Sequence, residues 1–334
     1  MIAVKSHGNR KVSIVEKEIP GMGPGDVLVR VKAAAICGSD LHGIYRKPGE
    51  HPFTPGHEMA GEVVEAGPGA GLEKGSRVCV PAAIGCGKCW LCRKGFTIYC
   101  GEAKVIGFSL DGGHAEFVAV PGCHCLSLPD DISFEAGALI ADPVGALFHS
   151  YRKMGLSSLD TIVIFGLGPM GLGGTIVAKL FGARVIGVDV NDYRLNLAKT
   201  LGADHVLNPK RQDVKAEVLK LTGGAGPEKA VDCAGSEVTL GLALDLVRKL
   251  GTVAIIGENQ KAVINPSDHF NRKELVMQGS TCFNLGEYND IVSMIQRGLK
   301  PERIITHRFP LKDAVEAYRL FDGGDAGKVV FVDR

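Results

Sequence analysis

The chain has 334 residues, which is too long for one ordinary hydrophobic core and suits two domains. Hydrophobic residues make up 45% and charged residues 22%, as in globular proteins, and the formal net charge is +1. Without a basic stripe, neither nucleic acid nor a membrane is expected as a partner. The first residues do not resemble a secretory signal and no run reaches the roughly 18 apolar residues of a membrane span, so we expect a cytoplasmic protein.

Residues 1 to about 142 are rich in predicted strands and turns. Apolar and polar side chains alternate, as in half-buried strands, in residues 27–32, 61–66, 77–80 and 115–120. Pro-Gly and Asp-Gly pairs between these runs predict turns. This part of the chain therefore favours a β-rich domain.

From residue 143 onward, predicted strands and helices alternate. Short apolar runs predict buried strands at residues 161–165, 184–190, 230–233 and 252–256. Helical patterns follow or separate them, up to about residue 181 and at residues 192–201 and 237–250. The alternation predicts a doubly wound parallel sheet covered on both faces. Further elements are predicted at residues 274–278 (an edge strand), 311–321 (a helix) and 328–332 (a strand).

A glycine-rich turn follows the first strand of this α/β segment. Residues 166–171 read GLGPMG and open a helix, which is the context that a dinucleotide-binding turn requires. Such glycines permit a tight turn, close approach of the backbone to a pyrophosphate, and close packing of helix on strand. The candidate cofactor residues are Gly166, Gly168, Pro169, Met170 and Gly171.

An acidic residue ends the second strand of the segment. Asp189 follows Gly171 by 18 residues, where a carboxylate accepts hydrogen bonds from the adenosine ribose and repels a 2′-phosphate. This favours NAD over NADP. Arg194 lies nearby in the sequence and is a further candidate for cofactor binding, although its charge would weaken that preference.

Two groups of residues are candidates for binding metal. Within residues 86–100, four cysteines at short spacings can fill a tetrahedral site, which predicts a structural zinc and leaves an iron–sulfur cluster as the alternative: Cys86, Cys89, Cys92 and Cys100. The second group is looser. Cys37, His57 and one carboxylate would give three ligands and an open position, which is the catalytic arrangement of zinc.

The chain resembles the zinc-dependent medium-chain dehydrogenases, especially their polyol and threonine dehydrogenase branch. The resemblance spans nearly the whole chain and is carried by CGSDLH, GHEMAG, the four-cysteine lobe, GLGPMG with Asp189, and ALIADP, at residues 37–42, 56–61, 86–100, 166–189 and 138–143. It implies a GroES-like catalytic domain at residues 1–142 and 287–334 with a Rossmann NAD-binding domain at residues 143–286. It also implies a homodimer or homotetramer.

The resemblance also implies roles for single residues. Cys37 and His57 would bind the catalytic zinc, with Glu58 or Asp142 as the third ligand. Glu58 would be a ligand or an exchangeable carboxylate next to the ion, and Asp142 stands where the polyol branch usually has glutamate. Asp40 would orient His57. Ser39 and His42 would relay the alcohol proton to solvent. Ile256 and Ser280 would line the nicotinamide pocket.

The predicted function is hydride transfer between NAD and a secondary alcohol of a small polar substrate: a polyol, sugar, cyclitol or hydroxy amino acid. Zinc would act as Lewis acid on the alcohol. One alternative is a dehydrogenase of simple aliphatic or aromatic alcohols, although aromatic residues make up only 6% of the chain. Another is a non-catalytic NAD-binding structural or regulatory protein, which predicts a damaged catalytic residue set.

Overall fold

A computed structural model describes residues 1–258 and 261–333. It consists of two compact units, Met1–Gly145 with Cys282–Arg334, and Ala146–Thr281. The domain limits predicted from the sequence, 142/143 and 286/287, stay a prediction. In the described residues, no helix is long and apolar enough to cross a membrane.

The strands, numbered in chain order, are β1 (Ile2–Gly8), β2 (Lys11–Glu16), β3 (Asp26–Ile36), β4 (Glu58–Ala66), β5 (Arg77–Val80), β6 (Ala83–Ile84), β7 (Lys104–Val105), β8 (Phe117–Pro121), β9 (Leu126–Ser127), β10 (Thr161–Phe165), β11 (Arg184–Val188), β12 (His205–Leu207), β13 (Lys229–Asp232), β14 (Thr252–Ile255), β15 (Val276–Gly279), β16 (Ile305–Phe309) and β17 (Lys328–Val332). The α-helices are α1 (Gly38–Asp40), α2 (Trp90–Arg93), α3 (Phe134–Leu139), α4 (Gly145–Met154), α5 (Pro169–Leu180), α6 (Asp192–Thr200), α7 (Val214–Leu221), α8 (Glu237–Leu246), α9 (Tyr288–Gln296) and α10 (Ala314–Gly323). Segments of π-helix occupy Leu41–Tyr45, Ile140–Val144 and Ser267–Asn271, and 3₁₀ turns occupy Thr97–Tyr99, Gly122–His124, Leu285–Glu287, Pro301–Ile304 and Leu311–Asp313.

The first unit is built around a seven-stranded sheet in the order β16-β17-β3-β4-β5-β9, with β8 also paired to β3. Strand β3 runs to Ile36, four residues beyond the predicted end, because its last residues pair with both β17 and β4. Inward valines of β3, β4 and β8 form the core beneath the sheet, among them Val29, Val63 and Val118. The closing strand β17 therefore joins the amino-terminal part of the chain in one sheet.

The second unit contains a parallel sheet of six strands in the order β12-β11-β10-β13-β14-β15. The central strands are buried almost throughout, as expected for strands covered by helices on both faces. The chain order reverses between β10 and β13, and ligands of such sheets bind outside the carboxyl ends of the strands at this point. The predicted doubly wound sheet is confirmed, and β15 lies at its edge.

Two predicted helices have different limits in the structure. Helix α8 ends at Leu246, not at residue 250, because Val247 has extended backbone (ψ 133°) and Leu250 adopts a positive φ of 63°. The helix predicted from residue 311 begins with a 3₁₀ turn, Leu311–Asp313, and continues as α10 from Ala314. A turn follows α8 and another precedes α10, and neither turn interrupts the spacing of apolar residues. The periodicity of the sequence therefore predicts helices that are longer than the observed ones.

Replacement of Gly171 by alanine tests the packing at the start of α5. An added Cβ would lie 1.9 Å from the backbone oxygen of Gly166, and backbone cannot move aside as a side chain can. We expect Gly171→Ala to destabilise the protein by about 1–3 kcal/mol or more. Thermal unfolding followed by circular dichroism measures the change.

Gly241→Ala is the matched control for this variant. Gly241 lies in α8 and has no heavy atom within 4 Å of an added Cβ. Alanine there should stabilise the protein by up to about 1 kcal/mol, since it favours the helix. Equal effects of the two substitutions would contradict the role assigned to Gly171.

Candidate active site

Four side chains predicted to bind metal meet in the first unit. Cys37, His57, Glu58 and Asp142 each offer one ligand atom, and these atoms lie within 4.8 Å of one another. The Cys37 thiol donates to Asp142 Oδ2 at 3.2 Å. Asp142 is partly exposed, whereas the other three are buried. Sulfur, nitrogen and two carboxylates therefore face one point at the edge of a buried region.

Strand pairing brings these residues together from distant parts of the chain. Cys37 directly follows β3, and its amide donates to Asp40 Oδ2 at 2.9 Å, which fixes the turn into α1. Glu58 begins β4, where it pairs with Ala35 near the end of β3. Because β3 and β4 are antiparallel, the carboxyl end of one strand lies beside the amino end of the other.

The turn before His57 can accommodate only glycine. Gly56 has a φ of +98°, and an added Cβ would lie 2.4 Å from the ring of His114. His114 is buried, with Nε2 3.2 Å from the Ala35 carbonyl and Nδ1 2.8 Å from the Tyr318 hydroxyl. Since a carbonyl only accepts, Nε2 carries the proton and Nδ1 accepts from the tyrosine. This rigid ring supports the turn that presents His57.

Asp142 enters the cluster from a π-helical segment. Ile140–Val144 forms one wide turn between α3 and α4 and contains Pro143, which has no amide hydrogen to donate. Insertions of this kind in helices occur frequently at functional sites. Although aspartate is one methylene shorter than the glutamate of the polyol branch, its carboxylate reaches Cys37. Whether Glu58 or Asp142 is the third ligand stays a prediction.

His57 lies between two polar residues that were also predicted for the site. Its Nδ1 is 3.4 Å from Asp40 Oδ1, and its Nε2 is 3.4 Å from Ser39 Oγ. Burial alone would raise the pKa of Asp40, but charge attraction and hydrogen bonding to His57 lower it to about 2. Burial opposes charge on His57, yet Asp40 raises the pKa of the imidazole well above its usual value. Asp40 is therefore placed to orient the ring.

A lysine that the sequence analysis missed lies beside this cluster. Lys328 forms an ion pair with Glu58 Oε1, and both side chains are fully buried. Burial alone would lower the pKa of Lys328, but the Glu58 carboxylate raises it. In Glu58 burial raises the pKa, and the Lys328 ammonium opposes that rise. The sequence offered one signal for this residue, namely a lysine at the start of the otherwise apolar strand KVVFV.

Cys282 is a second residue that spacing could not assign. Burial raises the pKa of its thiol to about 12, and the charge of Asp142 contributes to the rise. His57 and Cys37 also act on it electrostatically, so Cys282 lies near the candidate metal site. Burial likewise raises the pKa of the Cys37 thiol to about 11, with Asp142 as the next cause.

The residues of the cluster fit a zinc ion. Thiolate, imidazole and carboxylate are the ligands that zinc takes in catalytic sites, where a fourth position remains open. One buried carboxylate oxygen of the cluster, Glu58 Oε2, makes no hydrogen bond to the described residues. With Nδ1 directed to Asp40, the lone pair of His57 Nε2 is available to a metal, as in carboxylate–histidine–zinc arrangements.

His42 lies on the adjacent π-helical segment, Leu41–Tyr45. Its Nδ1 is 3.3 Å from the guanidinium of Arg46, which bonds Asp322 in turn through Nε at 2.7 Å. A guanidinium only donates, so His42 Nδ1 is the acceptor in this contact. The side chain predicted for proton relay is thus linked through Arg46 to Asp322.

Aromatic rings cover one side of His57. The Phe108 ring centroid is 5.6 Å from that of His57, and a Cβ at Gly43 would approach Phe108 to 2.8 Å. His51 packs edge-on against both Phe108 and Phe53. The glycine leaves room for an apolar wall next to the candidate metal ligands.

The four cysteines of the lobe also converge. One sulfur from each of Cys86, Cys89, Cys92 and Cys100 lies within 4.8 Å of the others. Backbone amides donate to the sulfurs of Cys86, Cys89 and Cys100 at 3.4–3.5 Å. Amide donors, that of Lys88 first, lower the pKa of Cys86 to about 7, whereas burial raises the pKa of Cys92 to about 12. Gly85 packs so closely that a Cβ would lie 2.5 Å from Cys92 Sγ. The donor set fits a closed tetrahedral zinc site.

In the second unit, the glycine-rich turn has the geometry that its sequence predicts. Gly166 adopts a φ of +84° and abuts Ala234, while Gly168 caps α5 without a side-chain hydrogen bond. Pro169 occupies the first turn of α5, and Met170 is partly buried. The first amides of α5 are thus open to phosphate oxygens.

Asp189 is tied to the backbone around this turn. Its Oδ2 accepts from the amide of Leu167 at 2.7 Å and its Oδ1 from that of Asn191 at 2.8 Å. Arg194 directs its guanidinium toward the turn, 4.0 Å from where a Cβ of Gly168 would lie, and its buried Nε makes no hydrogen bond to the described residues. The carboxylate and the guanidinium therefore flank the glycine loop.

The two residues predicted for the nicotinamide pocket follow neighbouring strands. Ile256 comes after β14, and its amide donates to the Asp232 carbonyl at 2.9 Å. Ser280 comes after β15 and is buried, with its hydroxyl unbonded to the described residues. Both lie at the carboxyl edge of the sheet, and their cofactor contacts stay predictions.

Two protein families match most of the chain. The alcohol dehydrogenase GroES-like domain matches residues 23–130, and the zinc-binding dehydrogenase family matches residues 169–297. These matches contain the candidate zinc ligands other than Asp142, and the second half of the glycine-rich turn, residues 169–171.

Curated relatives and solved structures agree with these families. L-threonine 3-dehydrogenase of Pyrococcus horikoshii is 37% identical, covering 99% of this chain and 98% of its own. A zinc-type alcohol dehydrogenase-like protein of Escherichia coli K12, YphC, is 36% identical over the same shares. Alcohol dehydrogenase TADH of Thermus sp. ATN1 superposes with a TM-score of 0.93 at 31% identity, covering all of both chains. The chain belongs to the zinc-binding alcohol dehydrogenase family and is a zinc-dependent oxidoreductase.

Proposed function

We propose that this oxidoreductase transfers a hydride between NAD and a secondary alcohol of a small polar substrate, such as a polyol, sugar, cyclitol or hydroxy amino acid. The observation that carries the proposal is the convergence of Cys37, His57 and two carboxylates within 4.8 Å. Cys37 and His57 are the proposed zinc ligands, together with Asp142 or Glu58. A zinc ion there supplies Lewis acidity, which lowers the pKa of a substrate hydroxyl.

The surrounding residues prepare the site for proton transfer. Asp40 Oδ1 is 3.4 Å from His57 Nδ1, which leaves Nε2 as the proposed metal-binding nitrogen. Ser39 Oγ, 3.4 Å from that nitrogen, is the proposed acceptor of the substrate proton. His42, whose Nδ1 is 3.3 Å from the Arg46 guanidinium, is proposed to continue the relay. Ser39 and His42 are thus proposed to act in successive steps of proton transfer.

The cofactor is proposed to be NAD rather than NADP. The nicotinamide ring supplies the hydride acceptor. The Asp189 carboxylate, held by two backbone amides, is a fixed negative charge where a 2′-phosphate would lie. Arg194 is proposed to contribute on the opposite side of the turn, toward the phosphates.

The proposed substrate class rests on relatives and on the intact residue set. Several similar proteins are named L-threonine 3-dehydrogenase, and threonine is a hydroxy amino acid. A second candidate, a dehydrogenase of simple aliphatic or aromatic alcohols, is favoured by the aromatic wall of Phe108 against His57. The non-catalytic alternative predicts a damaged site, yet Cys37, Ser39 and His42 are present with their partners.

The proposed function also includes a metal content, an oligomeric state and a cellular location. We expect two zinc ions per chain, one in each cluster. We also propose a cytoplasmic homodimer or homotetramer, for which the exposed edge strand β15 is one candidate contact.

Replacing Cys37 by serine tests the catalytic site. Turnover should fall by at least about a hundredfold, because losing a ligand costs no less than losing a residue that supports one. NADH binding, measured by fluorescence titration, should be nearly unchanged, and metal analysis should find one zinc fewer per chain. A panel of threonine, polyols, cyclitols, sugars and simple alcohols, assayed by NADH formation in the wild-type protein, identifies the substrate class.

Cys123→Ser is the control for this experiment, since Cys123 is an exposed cysteine outside both clusters. It should leave turnover and zinc content unchanged. Full activity of Cys37→Ser would refute the proposed site, and a preference for simple alcohols would select the second candidate.

Replacing Asp189 by alanine tests the choice of cofactor. Loss of hydrogen bonds from a charged group should raise KM for NAD roughly tenfold or more. KM for NADP should fall, because the repulsion of its phosphate is removed. Steady-state kinetics with both cofactors measures the ratio.

Asp189→Asn separates charge from structure in this test. Asparagine keeps one acceptor for the amides of Leu167 and Asn191 but removes the charge. It should therefore improve the use of NADP with a smaller loss of thermal stability than alanine causes. An unchanged cofactor ratio in both variants would contradict the role of Asp189.

A further inference from the structure

The ion pair of Lys328 and Glu58 is unusual in its burial. Both side chains have zero exposure to solvent. Lysine and glutamate are rarely fully buried, and a buried pair is not in itself a strong source of stability. Glu58 is also one of the four side chains that converge on the candidate metal site. The lysine therefore holds a carboxylate that a metal ion could also bind.

The two oxygens of Glu58 differ in their partners. Oε1 accepts from Lys328, whereas Oε2 makes no hydrogen bond to the described residues. Asp142, by contrast, contacts Cys37 directly and has no lysine on it in the described residues. If both carboxylates bound a zinc ion together with Cys37 and His57, all four tetrahedral positions would be filled and no substrate could enter.

The topology explains why the lysine reaches this place. Strand β3 lies between β17 and β4 in the sheet. Val329 of β17 pairs with Ile36, and Glu58 of β4 pairs with Ala35. Both strands are therefore fixed beside the carboxyl end of β3. Lys328 then reaches Glu58 across the end of β3, next to Cys37. Its charge acts on Cys37 and Asp142 as well as on Glu58.

We propose that Lys328 is a positioning residue that holds Glu58 away from the metal ion and so keeps one coordination position open. This inference rests on the proposed function, since it requires a metal ion at Cys37 and His57. The ammonium also balances charge: a thiolate and two carboxylates are neutralised by one divalent ion and one ammonium. Without the ammonium, the nearest cation available to Glu58 is the metal itself.

A purely structural role of the pair makes a different prediction. If Lys328 only tied β17 to β4, its removal would lower thermal stability without changing the metal's surroundings. A readout on the metal therefore separates the two roles. Cobalt(II) in place of zinc provides it, because its visible spectrum reports the number and type of ligands.

The experiment compares Lys328→Met with the wild-type protein, both loaded with cobalt(II). Thiocyanate is the probe for an open position, and its binding is followed in the visible spectrum. Lys328→Met should bind thiocyanate about tenfold or more weakly, an effect of the size that residues supporting a metal site have. The cobalt spectrum of Cys37→Ser, which retains only the four-cysteine lobe, is subtracted from each.

Two further variants serve as matched controls. Lys328→Arg keeps the cation and should bind thiocyanate as the wild-type protein does. In the double variant Lys328→Met with Glu58→Gln, Asp142 is the only carboxylate of the cluster that remains and no second one can close the site, so thiocyanate binding should return to within about threefold of the wild-type value. Lys328→Gln, which keeps a hydrogen-bond donor toward Glu58, replaces the methionine variant if that one does not fold.

The outcomes distinguish this inference from the proposed function. Unchanged thiocyanate binding in folded Lys328→Met or Lys328→Gln overturns the role of Lys328 and leaves the metal site intact. Failure of the double variant to recover overturns it as well. If the wild-type protein and Cys37→Ser bind the same amount of cobalt(II) with the same spectrum, the proposed metal site itself is wrong.

Discussion

The burial of several acidic groups at the carboxyl end of β3 is the constraint on which the first unit depends. Glu58 and Asp40 are fully buried, and Cys37 nearly so. Removing such groups from water is costly unless an opposite charge or hydrogen-bond donors compensate. Lys328 compensates Glu58, and His57 compensates Asp40. A divalent ion would compensate the remaining thiolate and carboxylate, so charge balance and metal binding are one problem in this fold.

Close backbone contacts set the shape of both candidate sites. Gly56 and Gly85 are packed against His114 and Cys92, where any side chain would displace a residue next to a metal cluster. Gly166 and Gly171 likewise leave no room for a Cβ at the glycine-rich turn, where backbone atoms are among their nearest neighbours. These positions tolerate no Cβ because a close-packed interior cannot yield by the required distance. The chemistry of each site therefore depends on the absence of side chains as well as on their presence.

Local patterns in the sequence predicted those parts of the site that lie on short segments. The four cysteines and the glycine-rich turn each lie within fifteen residues, so spacing alone implies their convergence. Lys328 lies 270 residues from Glu58 in the sequence. The two side chains meet because their strands, β17 and β4, lie on either side of β3 in the sheet. No spacing rule contains that information. The reach of Asp142 depends on a π-helical turn, which periodicity does not reveal, and its identity as ligand rested on resemblance rather than on pattern.

Positive charge beside a zinc site at first sight opposes metal binding, since Lys328 and the ion repel each other. This repulsion occurs at the proposed catalytic site, where the metal must keep one position free of protein ligands. The proposed structural site in the four-cysteine lobe has no comparable requirement, and amide donors rather than a buried ammonium contact the sulfurs of Cys86, Cys89 and Cys100. Each amide is a dipole that stabilises the thiolate it contacts. An ammonium instead removes one particular carboxylate from competition, which is what an open coordination position requires.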